Sequence, residues 1–295
     1  MGRKARSIRW MVSLEGNRRY YPRNLTWLMR CSTKSTDLPV RRSNDNTYIF
    51  GRICSHNVVI SCLSTGSIRF GLMVGIGGGI PNKDIRLGDV VIGRPMQHSG
   101  GVLQCDVDFE RTSTLNKPPV VLLNALSILQ ARHIMNGNRI PGLPLEMQEK
   151  HPLMKRSITP AEPDRQFQGH YGHTSPRKSC CQCDERYLID RPKRRAETPQ
   201  IHYGLIASVT KVVKDARTRD YLAQRHGISC IEMEAAGLMD RFPCLVIRGI
   251  FDYADSHKND HWQGYAAATA AAYAKELLSV IPPEEVENEK IASQL

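Results

Sequence analysis

Two almost uninterrupted apolar runs constrain this chain more than anything else in it: Ile68-Arg69-Phe70-Gly71-Leu72-Met73-Val74-Gly75-Ile76 and Cys244-Leu245-Val246-Ile247-Arg248-Gly249-Ile250. A strand with one wet face alternates apolar and polar residues, whereas a strand covered on both faces reads as a continuous apolar run. Strands of the second kind need helices above and below the sheet, so the two runs point to an α/β architecture. The rest of the pattern agrees. Asp89–Gly93 and Ile201–Ser208 read as further strands, and Tyr48–Cys54 with Asn57–Leu63 as a hairpin turning at Ser55-His56. Helical spacing runs over Val120–Met135, Thr218–His226 and Trp262–Ile281, stopped by Gly137, Gly227 and Pro282-Pro283, and Cys230–Glu234 leads into a helix through Met239.

This places an α/β domain over residues 46–285. It is preceded by a basic segment, 1–45, with no sustained period and expected to be poorly ordered. A long irregular insertion, 138–198, interrupts it, and a short tail, 286–295, follows. The chain has 295 residues, 41% hydrophobic and 24% charged, a balance that argues against a mostly disordered or collagen-like chain. No run reaches the roughly 18 apolar residues of a membrane span, and the basic start has no apolar stretch behind it, so no secretory leader is expected. Nine cysteines are an odd number, and Cys62, Cys230 and Cys244 sit inside apolar runs; reduced thiols and a cytoplasmic setting follow. The net charge of +12 suggests a polyanionic partner until it is located. Residues 1–42 carry +9 of it and residues 151–196 another +5, which leaves the remainder slightly negative. Nucleic-acid binding is therefore not expected.

Three short segments carry chemistry. Gly75-Ile76-Gly77-Gly78-Gly79 closes the first apolar run, where glycines let a ligand approach backbone N–H groups. It matches neither the dinucleotide nor the P-loop spacing, and a tight turn is the plain alternative. Glu232-Met233-Glu234-Ala235-Ala236 sits at a strand-to-helix junction. At such a junction one carboxylate can accept hydrogen bonds from vicinal hydroxyls while the other is tied down; the alternative is two acids favoured by the helix dipole. Phe251-Asp252-Tyr253-Ala254-Asp255 follows the second run. An acid at the carboxyl end of a buried strand suits general acid work, the alternative being a cap on the next helix, which fits Asp255 better than Asp252.

Together with Arg86-Leu87-Gly88-Asp89-Val90-Val91 and Val246–Asp255, these segments resemble the nucleoside phosphorylase/uridine phosphorylase superfamily, which includes the methylthioadenosine/S-adenosylhomocysteine nucleosidases. The look is of the domains that fungi join to NACHT, ankyrin or tetratricopeptide modules. The resemblance implies a three-layer α/β/α fold with a mixed central sheet. One strand and one helix of that fold have no counterpart in the sequence, because Ser64-Thr65-Gly66 passes straight to Ser67-Ile68-Arg69 and residues 1–45 show no matching opening strand. It implies cleavage of the N-glycosidic bond of a purine nucleoside or nucleotide, by water or by phosphate, without a cofactor. By similarity Glu234 would hold the ribose hydroxyls and Met233 would pack beneath the sugar. Asp252 would donate a proton to the base, Gly77 and Gly78 would lie near the attacking group, and Val212 would face the base. Arg248 would pair with Glu232. A homo-oligomer is expected on the same ground, and a silent nucleoside-binding module of a receptor-like protein is the competing reading.

His170-x-x-His173 and Cys180-x-x-Cys183 have spacings compatible with zinc. The family chemistry needs no metal, and these residues are read as part of a solvated loop with none bound.

Overall fold

The computed structural model describes residues 9–13, 40–43, 46–54, 56–61, 68–96, 99–105, 111–150, 152, 159–160, 162–173, 180–194, 198–239, 242–258 and 260–288. Among these residues eleven strands form one mixed sheet: β1 (Arg9–Ser13), β2 (Val40–Ser43), β3 (Asn46–Ile53), β4 (His56–Ser61), β5 (Ile68–Gly79), β6 (Val90–Gly93), β7 (Val102–Cys105), β8 (Arg111–Thr114), β9 (Ile201–Val209), β10 (Ile228–Glu232) and β11 (Cys244–Asp252). The α-helices among the described residues are α1 (Val120–Asn136), α2 (Gly142–Lys150), α3 (Ala216–His226), α4 (Ala235–Met239), α5 (Gln263–Leu278) and α6 (Pro283–Asn288). Their order in the sheet is β2-β3-β4-β1-β5-β11-β6-β9-β7-β8.

The two apolar runs become β5 and β11, neighbours that run parallel from Gly71↔Cys244 to Gly78↔Asp252. Alternation along them divides the core into two faces. Phe70, Leu72, Val74, Leu245 and Ile247 point to the layer of α1 and α5. Met73, Cys244 and Val246 point to the other side, where Ala235, Leu238 and Met239 of α4 cover them. The Ala-rich face of α5 allows very close approach: a Cβ on Gly249 would fall 1.8 Å from the carbonyl oxygen of Ala266. Three layers result, as the sequence implies.

β10 changes the topology. It pairs parallel with β9 and antiparallel with the end of β5, Ile231 opposite Gly78 and Cys230 opposite Gly79. The chain of pairings β5-β11-β6-β9-β10 thus returns to β5 and closes a ring within the larger sheet.

Several sequence expectations need correction. The segment 1–45 contributes two strands; β1 lies parallel between β4 and β5, with Met11 opposite Val59 and Gly71, so an N-terminal strand is present. Its five residues are too few to show a period, and its partners lie about fifty residues away. Residues 14–39, and with them most of that segment, fall outside the described residues; among the described residues no α-helix precedes α1. The insertion carries α2, and α6 runs past residue 285 with Val286 buried in the main core. Gly77, Gly78 and Gly79 belong to β5 and form no turn. The hairpin Asn46–Ser61 is held by His56, whose Nε2 lies 3.1 Å from the carbonyl oxygen of Leu278, the last residue of α5, and 2.9 Å from that of Ile281 beyond it. Among the described residues, no helix is long and apolar enough to cross a membrane.

Candidate active site

The ends of β5, β9, β10 and β11 converge on a cleft of about 420 Å³. All six residues singled out in the sequence line it: Gly77, Gly78, Val212, Met233, Glu234 and Asp252. The glycines are required by packing. A Cβ on Gly77 would meet Cys230 Sγ at 2.5 Å, so the return of β10 onto β5 needs its absence. One on Gly78 would fall 2.8 Å from both Asp252 Oδ1 and the Ala254 side chain.

The Glu232/Glu234 pair divides because β10 ends at Glu232 and the chain bends before α4, which takes Glu234 off the face the two would share on extended backbone. Glu232 is fully buried; its carboxylate accepts the Ala235 N–H (3.1 and 3.0 Å) and the Glu234 N–H (3.2 Å), capping α4, and forms a hydrogen-bonded ion pair with Arg248. Arg248 is wholly buried on β11, and the pairing is the one the sequence leads one to expect. Glu234 keeps a quarter of its side chain exposed, with Oε2 3.4 Å from Arg248 Nη2. Burial pushes its pKa up to about 7; Arg248 opposes this, while the charge and hydrogen bond of Glu232 reinforce it. An acid held near neutrality, between a buried guanidinium and an open cleft, can exchange water for hydroxyl donors of a ligand.

Asp252 ends β11 with its side chain fully buried. Oδ1 accepts the Ala254 N–H at 2.8 Å and Oδ2 accepts Lys258 Nζ at 2.6 Å. Ala254 adopts φ 51°, a left-handed conformation that costs a non-glycine residue about 1–2 kcal/mol. The Asp252 carboxylate, by bonding its N–H, holds the chain in that bend.

Lys258, which the sequence reading missed, also lies 5.2 Å from the centroid of the Phe251 ring. The only sequence signal for it is a basic residue six positions after Asp252. Asp255 turns away from this cleft: its carboxylate receives the His257 N–H at 2.8 Å and Arg219 of α3 at 3.3 Å, a structural role. Val212 and Met233 are 47% and 42% exposed, apolar surface left open at the cleft. Phe251, Ser256, Lys214 and Gln263 add to its lining.

The sequence matches the model of the phosphorylase superfamily over residues 59–281. Over 275 residues it is 39% identical to a nucleotide-binding leucine-rich repeat (NLR)-like protein of Hyaloscypha variabilis, covering 85% of this chain and 27% of that protein. The chain thus spans about a quarter of that relative's length. Solved structures of like fold include the 5′-methylthioadenosine/S-adenosylhomocysteine nucleosidase of Neisseria meningitidis in complex with methylthio-immucillin-A, at 15% identity and a TM-score of 0.57 over 92% of this chain and 98% of that one. The Helicobacter pylori futalosine hydrolase superposes with a TM-score of 0.53 at 13% identity, covering 92% and 97% of the two chains. With a family match over about three quarters of its length and this three-layer fold, the chain belongs to the phosphorylase superfamily.

Proposed function

We propose that this domain cleaves the N-glycosidic bond of a purine nucleoside or nucleotide. The observation that carries the reading is the meeting of Glu234 and Asp252, from segments far apart in sequence, across one cleft with apolar walls. Glu234, once ionised, accepts hydrogen bonds from the ribose 2′- and 3′-hydroxyls. Met233 and Val212 offer apolar surface to the sugar and the base. The C1′–N bond breaks, the base leaves with its electron pair, and Asp252 delivers a proton to a ring nitrogen. The oxygen of a water or a phosphate, entering past Gly77 and Gly78, completes the bond at C1′, a water releasing its extra proton to solvent as it does so. Lys214 and Lys258 are the basic side chains at hand for an anionic group.

One observation favours a second reading, a module that binds the nucleoside without turning it over. Both oxygens of Asp252 are already used as acceptors, one of them by Lys258. Proton donation requires Lys258 to withdraw or to hand its own proton through the carboxylate. Cys230 and Cys244 are buried and in no disulfide, which suits a cytoplasmic setting for either role.

Incubation with adenosine, inosine, methylthioadenosine and ATP, with and without phosphate, separates the readings. Free base released without phosphate identifies hydrolysis, and release only with phosphate identifies phosphorolysis. No free base, with a nucleoside-induced rise in Tm that Glu234→Ala abolishes, replaces the enzyme with the binding module.

A further inference from the structure

Outside the cleft, the long insertion folds back on the β11–α5 connection and brings together His173, Cys180 and Cys183. One ligand-capable atom from each lies within 4.8 Å of the others. We propose that these three residues bind a zinc ion that clamps the insertion against the rim of the cleft.

The donor set is the first argument. Two thiolates and a neutral imidazole are the borderline-soft, tetrahedral ligand set that Zn²⁺ takes, and their charges sum to zero around the dication. That neutrality matters, because Cys180 and Cys183 are only 4% and 6% exposed. Tetrahedral zinc with sulfur at about 2.3 Å and nitrogen at about 2.0 Å separates its ligand atoms by a little under 4 Å. A contraction of about 1 Å would therefore close the site. The second argument is local shape. Cys180-x-x-Cys183 forms a tight turn closed by the Cys183 N–H to the Cys180 carbonyl (3.2 Å), which points both sulfurs to one side, and Arg165 Nη1 reaches the same carbonyl at 3.4 Å. His170, the other histidine of the sequence motif, is drawn away against Tyr187, with ring centroids 5.7 Å apart.

The third argument is the shell around the cluster. His257 is stacked on Phe167 with centroids 4.3 Å apart, and its ring centroid is 5.4 Å from that of His173. Its Nε2 is buried and has no hydrogen-bond partner. The fourth ligand is this Nε2 or a water, and the experiment distinguishes the two. Phe167, Cys180 and Cys183 form a small apolar cluster of their own with Tyr171, Tyr187 and Leu188, too small to hold a long insertion by burial alone. The link to the cleft is direct: the His173 N–H donates to Ser256 Oγ at 3.0 Å, and Ser256 lines the cleft.

The test uses the full chain, purified without chelator, with bound zinc measured by elemental analysis and then by titration after stripping. One zinc per chain is expected. Cys180→Ser and His173→Ala should each lose at least about tenfold in zinc affinity. Replacing zinc with Co²⁺ should give the thiolate-to-metal absorption and the d–d bands of a tetrahedral site. If His257 is the fourth ligand, His257→Ala alters those d–d bands; if water is, they stay unchanged, and either result supports the site.

Should the variants fail to fold, limited proteolysis of the wild-type chain decides. Cleavage within residues 160–194 should accelerate on chelation and slow again on adding zinc. Substoichiometric zinc after reconstitution, a Cys180–Cys183 disulfide in the freshly isolated protein, or unaltered affinity in both ligand variants overturns the proposal. None of these readouts depends on nucleoside turnover.

Discussion

Nucleoside affinity should rise about thirty-fold between about pH 5.5 and about pH 8, and the ribose hydroxyls should carry the whole of the effect. The perturbation is titration of Glu234, whose pKa stands at about 7 because burial and Glu232 outweigh Arg248. A carboxyl of that pKa is about 3% ionised at the lower pH and about 90% at the higher, whereas an ordinary glutamate is about nine-tenths ionised or more at both. Only the carboxylate can accept from two hydroxyls at once, so affinity follows the ionised fraction. Calorimetric titration with adenosine and with 2′,3′-dideoxyadenosine, on Asp252→Asn to suppress turnover, isolates the contact. The first ligand should show the rise and the second should not, and Glu234→Gln should bind adenosine weakly at every pH. Parallel curves for the two ligands, or a flat curve for adenosine, would refute the assignment.

The same shift fixes a sign for stability. The folded pKa lies above the unfolded value near 4.5, so the folded chain favours the protonated acid. The contribution of Glu234 to stability is greatest below about pH 4.5, falls as the pH climbs towards about 7, and stays low above it. Ligand-free Glu234→Gln should therefore be the more stable protein near pH 8, by up to about 3 kcal/mol, and lose that advantage near pH 5.

Two further substitutions test the supporting structure. Gly78→Ala should destabilise the fold by about 1–3 kcal/mol in urea unfolding, since its Cβ would press on Asp252 Oδ1 and Ala254 at 2.8 Å; an unchanged midpoint would mean that the β5–β11 contact is loose. Glu232→Gln should cost about 3 kcal/mol by the same measurement, because it leaves the wholly buried Arg248 without its closest carboxylate. A loss below about 1 kcal/mol would show that Glu234 replaces it.

What the sequence made legible follows the range of the interactions involved. Strands β5 and β11 announce themselves because burial on both faces imprints every residue, and α3 because its helical spacing stops at Gly227, although its cap at Asp215 lies three residues before the expected start. The Asp215 side chain accepts the Thr218 N–H, and Gly227 takes φ 67°. Five of the six cleft residues were readable because they sit where a buried strand ends; Val212, three residues past β9, followed from the family resemblance alone. Strand β1 was not, since its pairing energy comes from β4 and β5 and nothing within five residues records it. Lys258 was hidden for a related reason. A lysine in a polar connection looks solvated, and only the bend at Ala254 brings its ammonium onto Asp252. His173, Cys180 and Cys183 had the spacing of ligands, but spacing does not say which of two histidines the fold will turn inward.

The glycine motif changes meaning once the ring of strands is considered. In a phosphate-binding loop, glycines free the backbone to meet a ligand. Here Gly77 and Gly78 are extended strand residues whose missing side chains let β10 and the end of β11 close on β5. That closure carries Glu232 and Glu234 to Arg248, and it sets Asp252 across the same cleft. The glycines thus act on the chemistry through the strands that they allow to meet. It follows that the three motifs are a single device: β10 cannot present Glu234 without Gly77, the Asp252 bend cannot seat without Gly78, and Arg248 of β11 holds both Glu232, at the end of β10, and Glu234 just past it. A chain that kept the two acids but lost either glycine would keep the reactive groups and lose their arrangement.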